Sequence, residues 1–328
     1  MIAIITIILY NISILTGKAF SFEIRADEMY HIIVNSARVK KDDNNIKTVK
    51  SVLDRAGKQY EFYFTQYAGH ATELAERLTE SGEKTRIIAM GGDGTLHEVL
   101  NGIKYPDKCK LGVIPAGSGN DFAAAMGIPE DDIKYAAQII AFRAPTAIDY
   151  IQLSTGTRSI NALGCGLDVE ILKRAYSTGK RGKLRYITGF FKSVFSYRPH
   201  TFEVQTDGGK TRRFNGLLAC LGNGRQIGGG IKLFPRSRVD DGFMDFLIVD
   251  YISPVKSFLA FAKIFFGKLD SVKETTKLRC KSATFLSDED MTIQAEGELY
   301  EVKRGQRISA ELVSGKLKFY LPHTEHLV

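Results

Sequence analysis

Cysteine is scarce in this chain of 328 residues. The four, Cys109, Cys165, Cys220 and Cys280, lie far apart, with no C-x-x-C pair and no metal-ligand spacing. That excludes a disulfide framework and a cysteine-built zinc site. Apolar or glycine neighbours make most of them read as buried thiols in a reducing compartment, which points to the cytoplasm. Long hydrophobic runs are missing too. Met1 to Leu15 is apolar but carries Thr6, Tyr10, Asn11 and Ser13, too short a stretch to span a bilayer. It also lacks the basic start and Ala-x-Ala-like exit of a signal peptide. Residues 1–28 are therefore expected to be an upstream extension from a misassigned start, with a membrane-contacting segment as the rival reading. What is abundant is positive charge and apolar surface. The formal net charge of +8 favours phosphates, nucleic acid or an anionic membrane surface without choosing among them. An apolar content of 44% over this length supplies a proper core and two domains.

The chain is organised around Met90-Gly91-Gly92-Asp93-Gly94-Thr95-Leu96-His97-Glu98-Val99-Leu100-Asn101-Gly102. An Ile-rich run, Arg86 to Met90, reads as a buried strand, and Leu96, Val99, Leu100 and Ile103 recur at helical spacing after the glycines. Glycines let a phosphate approach peptide N–H groups, and the new helix adds its own unpaired N–H groups. Asp93 is the odd residue, because a bare carboxylate would repel phosphate; it suggests a metal, a water network or a hydroxyl partner. Plain turn chemistry is the bland alternative. No Lys-Ser/Thr pair closes a Walker loop, and the spacing does not fit the dinucleotide fingerprint. A second element repeats the grammar: Leu111 to Pro115, then Ala116-Gly117-Ser118-Gly119-Asn120-Asp121-Phe122-Ala123. Two parallel strands ending in such turns would put both at one carboxyl edge, where open α/β sheets bind ligands.

Read in order, residues 32–35, 60–65, 86–90 and 111–115 are strand-like. Helical patterns around Ile46–Leu53, 68–78, 96–103 and 133–142 separate them or follow. This predicts a mostly parallel sheet covered on both sides over residues 29–145. Near residue 146 the pattern changes. Strands are expected at 147–153, 158–163, 201–206, 213–221, 243–249, 278–285, 291–295 and 307–312, with helices near 169–175, 184–195 and 257–266. Residues 146–314 read as an antiparallel sandwich or barrel-like domain. The tail, 315–328, is expected as an edge strand or a return to the first domain.

Two stretches of this second part stand out. Lys173 to Arg198 carries eight basic residues, no acidic ones and interleaved aromatics. That suits an anionic lipid surface, nucleic acid, or simply a helix buried on one face. Gly222-Asn223-Gly224-Arg225-Gln226-Ile227-Gly228-Gly229-Gly230 costs so much backbone entropy that it must shape a loop. Beyond it, Asp240-Asp241-Gly242 reads either as oxygen ligands for a divalent cation or as an ordinary turn.

Together these motifs resemble the diacylglycerol kinase catalytic family, in particular the bacterial lipid kinases, from about Tyr30 to Pro322. The resemblance rests on Gly91-Gly92-Asp93-Gly94-Thr95 with Asn101, on Gly117-Ser118-Gly119-Asn120-Asp121-Phe122, and on Asn161-x-x-x-x-Gly166, Gly222-Asn223 through Gly230, and Asp241-Gly242. It implies an N-terminal α/β domain like those of NAD kinases and phosphofructokinases, and a C-terminal antiparallel β-sandwich. It implies phosphorylation of a lipid hydroxyl by ATP with Mg2+, most readily diacylglycerol to phosphatidic acid, by a peripheral enzyme on an anionic membrane surface. Other lipid alcohols or a soluble substrate such as NAD are the alternatives, and a nucleic-acid module is the rival from another class, with no nucleic acid expected. A homodimer is left open. Carried over by position, nucleotide contacts fall on Thr65, Gly91, Gly92, Asp93, Gly94, Thr95, Leu96, His97 and Ser118. The general base falls on Glu296, in Glu296-Gly297-Glu298, and Asp93 joins it as a catalytic residue through the nucleotide's Mg2+. A structural Mg2+ falls on Asp241 with the carbonyls of Arg238 and Phe243. Asn35-Ser36-Ala37-Arg38 departs from the family's Asn-Pro-x-Ser/Gly.

Overall fold

A computed structural model of the chain describes residues 29–177, 189–190, 193–251 and 253–322. The 1–28 extension and five of the eight basic residues of the 173–198 stretch, with most of the helix expected at 184–195, lie outside the described residues.

The first part is a parallel sheet in the order β2 (Tyr60–Phe64), β1 (Tyr30–Val34), β3 (Thr85–Gly91), β4 (Cys109–Pro115). The central strands β1, β3 and β4 are almost wholly buried runs of Ile, Val, Ala and Leu, as strands covered on both faces must be. Helices α1 (Asn44–Arg55) and α5 (Ile133–Phe142) pack together, as do α2 (His70–Leu78) and α3 (Asp93–Gly102). The helix starts are chemically marked. Asp43 accepts from Asn45 N, and Asp132 from Tyr135 N, each satisfying an N–H that the helix cannot. The register pairs Gly91 with Pro115, so β3 and β4 end level and both glycine turns emerge at one edge.

The second part is antiparallel, with strands β5 (Thr146–Leu153), β6 (Arg158–Ser159), β7 (Ala162–Gly166), β8 (His200–Thr206), β9 (Arg212–Gly222) and β10 (Met244–Asp250). Strands β11 (Thr275–Cys280), β12 (Ser282–Ser287), β13 (Met291–Ala295), β14 (Glu298–Val302) and β15 (Arg307–Phe319) complete it, with helices α6 (Leu167–Ser177) and α7 (Pro254–Phe265). Alternating inward positions such as Phe202, Val204, Phe285, Ile293 and Ile308 form its core. Strand β15 pairs with β12 and β5, then ends parallel to β4 through Lys318 and Phe319.

Three expectations change. The strand expected at 278–285 is two, because Asp207 Oδ1 accepts from both Lys281 N and Ser282 N and turns the chain from β10 toward β8. The strand expected at 158–163 is broken at Asn161, whose N–H goes to Glu296 and whose carbonyl accepts from Asn223 N and Gly224 N. Strand β14 was unmarked in sequence, because Leu299 and Tyr300 are its only large apolar residues before Val302.

Gly102 closes α3 directly against α2. A Cβ there would lie 2.2 Å from Thr72 O, which is backbone and cannot swing away. Gly102→Ala should lower stability by about 1–3 kcal/mol, read as a lower midpoint of urea unfolding with an unchanged slope.

Candidate functional site

The two glycine turns are in backbone contact. A Cβ on Gly117 would stand 2.3 Å from Gly92 Cα, and one on Gly91 would stand 2.4 Å from Thr95 Oγ1. Asn120 sits in the left-handed region with φ 51 and ties the second turn, accepting from Gly117 N at 3.0 Å and donating to Gly117 O at 3.1 Å. This places Asp93 at the start of α3 beside the start of α4 (Asp121–Ala125), where its Oδ1 accepts from Phe122 N at 3.3 Å. Burial raises the Asp93 carboxyl above its usual range, against N–H donors from residues 120–122.

Glu296 comes from the other domain, in the tight turn between β13 and β14, with φ 54. A non-glycine residue held there is strained, and its side chain is over-determined to match. Oε1 accepts from Ser159 Oγ at 2.5 Å, Asn161 N at 2.7 Å and Ala162 N at 3.3 Å. Burial pushes this carboxyl up to about 7 despite those donors, and the negative charge of Asp93 pushes the same way. Asp121 is a third carboxylate in the group. It accepts from Gly229 N and Gly230 N, both at 2.8 Å, and burial with the neighbouring Asp93 raises it to about 6. Gly228, Gly229 and Gly230 all have positive φ, which is why that loop needs glycines.

All this opens into one cavity of about 750 Å³. Its polar end is lined by Gly92, Asp93, Gly94, Thr95, Ser118, Asp121 and Glu296. Its other end is apolar, walled by Ile171, Leu172, Phe190, Ile231, Phe258 and Phe261, with Phe190 stacked on Phe261 at 3.8 Å between ring centroids. Asp168, at the start of α6, also lines the cavity. Its Oδ2 accepts from Gln294 Nε2 at 3.2 Å, while its buried Oδ1 has no partner among the described residues. Burial raises this carboxyl to about 6.

The expected site residues divide. Gly92, Asp93, Gly94, Thr95, Ser118 and Glu296 converge on the cavity. Gly91, Leu96 and His97 are buried behind it. His97 meets Tyr300 OH at 3.1 Å across the domain junction, and burial lowers its pKa to about 4, which favours the neutral imidazole there. Thr65 is outside the lining and accepts from Ser36 N at 3.2 Å. The pair Asp93 and Asp121, buried without a cationic side chain bound to either among the described residues, fits the Mg2+ of a bound nucleotide. The structural Mg2+ expected at Asp241 does not fit. Asp241 gives one oxygen to Phe243 N and the other to the Arg279 guanidinium, which also reaches Asp245 and lies over the Phe243 ring. Arg238 pairs with Asp240. A guanidinium already neutralises the carboxylate that the ion would need. Asp168, Gln294 and Ser159 escaped sequence reading, since a lone acid at a helix start reads as a cap.

The family description "Diacylglycerol kinase catalytic domain" matches residues 29–153, and "YegS C-terminal NAD kinase beta sandwich-like domain" matches residues 161–312. A Bacillus subtilis diacylglycerol kinase is 36% identical over 212 residues, covering 62% of this chain and 68% of that protein. The chain belongs to the bacterial diacylglycerol kinase and YegS-like lipid kinase family. A crystal structure of a diacylglycerol kinase from Bacillus anthracis superposes with a TM-score of 0.67 at 21% identity, covering 90% of this chain and 97% of that one. An NAD kinase from Archaeoglobus fulgidus in complex with ATP gives a TM-score of 0.50 at 14% identity, covering 90% and 95%. These last two bear on the fold, an α/β domain followed by a β-sandwich. The kinship supports a catalytic function of the lipid-kinase kind.

A folded-state value near 7 against 4.5 for a free carboxyl means that Glu296 keeps its proton longer when folded. Its contribution to stability is therefore full below about pH 4.5 and declines as pH rises through about 7. Relative to wild type, Glu296→Gln should gain up to about 3 kcal/mol between pH 5 and pH 8. Denaturant titrations at the two pH values test this, and a carboxyl band titrating near pH 7 in wild type alone should accompany it in difference infrared spectra.

Proposed function

We propose that this chain transfers the terminal phosphate of ATP, with Mg2+, to the hydroxyl of a lipid, with diacylglycerol, converted to phosphatidic acid, as the leading substrate. The observation that carries the reading is the division of a single cavity. Glycine turns with Asp93 line one end, phenylalanines line the other, and the Glu296 carboxyl stands with the polar end.

The Mg2+–nucleotide, when bound, supplies the phosphoryl group and neutralises charge on its oxygens. The protein supplies position. The N–H-rich start of α3 and the glycine turns suit phosphate oxygens, and Asp93 suits the accompanying cation or its waters. The apolar chamber takes acyl chain, which holds the lipid hydroxyl at the polar end. An alcohol is far too weak an acid to ionise at neutral pH, so its proton passes to Glu296 only as the new O–P bond forms and the bond from the terminal phosphorus to the bridging oxygen breaks, releasing ADP. A carboxyl poised near 7 is suited to that exchange, ionised in enough molecules to accept and basic enough to pull. Ser159 Oγ and two backbone N–H groups keep the carboxylate aimed while this happens. A soluble acceptor such as NAD would leave the Phe190–Phe261 wall without a task.

Labelled phosphate from ATP should appear on diacylglycerol, or on another lipid alcohol, in mixed micelles and vanish when Mg2+ is chelated. Transfer to NAD with none to any lipid would overturn the reading. Asp93→Asn and Glu296→Gln should each lower turnover at least about 100-fold while circular dichroism stays native. In wild type, kcat/KM should rise with pH through an ionisation near 7 as Glu296 loses its proton. A flat profile from about pH 6 to 8 would remove Glu296 from the role of base.

A further inference from the structure

Helix α7 has an unusual division of its surface. Ser253 caps it through Lys256 N and Pro254 opens it, so its start is well defined. Ser257, Ala260 and Ile264 are buried in the domain core. A second face, Phe258 and Phe261, forms part of the apolar wall of the cavity. A third face carries Val255, Leu259 and Phe266, which are 65%, 54% and 74% exposed. At 3.6 residues per turn those three fall within about 40° of one another, on a single stripe. An ordinary surface helix turns polar side chains outward, and this one turns out large apolar groups.

The flanks carry the complementary signal. From residue 254 to residue 273 the chain has four lysines, Lys256, Lys263, Lys268 and Lys273, all exposed, against one acid, Asp270, which is paired with Lys277. Phe266 is both exposed and part of the cavity lining. The apolar outer stripe therefore runs continuously into the apolar chamber that leads to Glu296.

We propose that α7 is the membrane-docking element: Val255, Leu259 and Phe266 enter the acyl region of an anionic leaflet, lysines meet its headgroups, and lipid passes sideways along α7 into the chamber. This inference deepens the lipid-kinase reading and rests on it for the identity of the lipid. A bilayer is favoured over a protein partner because the exposed face is apolar and rimmed with lysine, and because it opens on a chamber suited to acyl chain. In the basic stretch at 173–198, Phe190 and Tyr197 turn inward, with Tyr197 OH donating to Gly216 O, whereas Phe195 is exposed.

Binding is measured without ATP, so it is separable from catalysis. The full chain is sedimented with vesicles of phosphatidylglycerol and phosphatidylcholine. The double substitution Val255→Ser with Leu259→Ser, which touches no cavity-lining residue, should weaken binding at least about tenfold. It should leave kcat on a short-chain, monomerically dispersed diacylglycerol unchanged and raise KM for vesicle-borne lipid. Phe142→Ser, at another exposed aromatic, should change neither. All four native cysteines are buried, so a polarity-sensitive dye placed at Leu259→Cys reports that site, and its emission should shift to the blue on vesicles. Wild-type vesicle binding by the double variant, or a dye at Leu259→Cys that stays unshifted on vesicles, would overturn the docking role even if lipid phosphorylation persists. So would loss of self-association in the double variant with vesicle binding intact, since the stripe would then be a contact between two copies.

Discussion

Two backbones touch where Gly92 meets Gly117, and the geometry of the site follows from that contact. No side chain fits between them, so the two turns at the edge of the parallel sheet are locked together. Locking them sets the start of α3 against the start of α4. Asp93 and Asp121 are thereby brought close enough for the Asp93 charge to raise the affinity of Asp121 for a proton. The second domain answers with N–H groups rather than cations: Gly229 and Gly230 bond Asp121, and Asn161 and Ala162 bond Glu296. Three carboxyls gathered in this way, with no side-chain cation bound to them among the described residues, are unfavourable unless protons or a bound metal offset the repulsion. Such an arrangement is consistent with the magnesium nucleotide and the proton transfer proposed above.

Helix α3 transmits the arrangement across the molecule. Its N-terminus lines the cavity, and its far end is clamped to the second domain. Asn101 accepts from Arg158 N at 2.8 Å and donates to Arg158 O at 3.0 Å, while the Arg158 guanidinium donates to the carbonyls of Leu100 and Ile103. A cation at the carbonyl end of a helix satisfies acceptors that the helix leaves open. Midway, neutral His97 meets Tyr300 beside the strand turn that carries Glu296. One helix thus bears the cavity-lining glycine turn at one end and fixes the partner domain at the other. The distance between Asp93 and Glu296 depends on that rigid element rather than on a flexible linker.

The sequence displayed much of this, for physical reasons that differ from part to part. Strands β1, β3 and β4 and helices α1, α2 and α3 were legible because burial on two faces imposes continuous apolar runs and amphipathic helices show a 3.6-residue period. Gly91, Gly92 and Gly117 were legible as a turn but not as a contact, since touching depends on register between β3 and β4. Glu296 was legible only by kinship; nothing local distinguishes Glu296-Gly297-Glu298 from any other hairpin turn. Asp168 and its unpartnered oxygen were not legible at all, because their setting is made by Gln294, 126 residues away. The Asp241 loop misled for a related reason. Asp-Gly in sequence cannot show that Arg279, on the neighbouring strand, already holds the carboxylate.

The cavity joins two environments that exclude each other in bulk solution, one fit for phosphate oxygens and one fit for acyl chain. A protein can join them only by assigning each to a different layer. The parallel sheet supplies turns rich in N–H groups, because its strand ends must stop in open backbone. The second domain supplies phenylalanines from α7 and from the segment near Phe190, because its outer helices need not meet water on every side. Glu296 belongs to neither population. It is carried at the first central position of a two-residue hairpin turn, with φ 54 followed by Gly297 at φ 93, and Ser159 and the backbone of Asn161 hold its side chain. A non-glycine residue held at positive φ, at the boundary between a polar cradle and an apolar chamber, is costly to keep. Its persistence there is explained if chemistry takes place at that boundary.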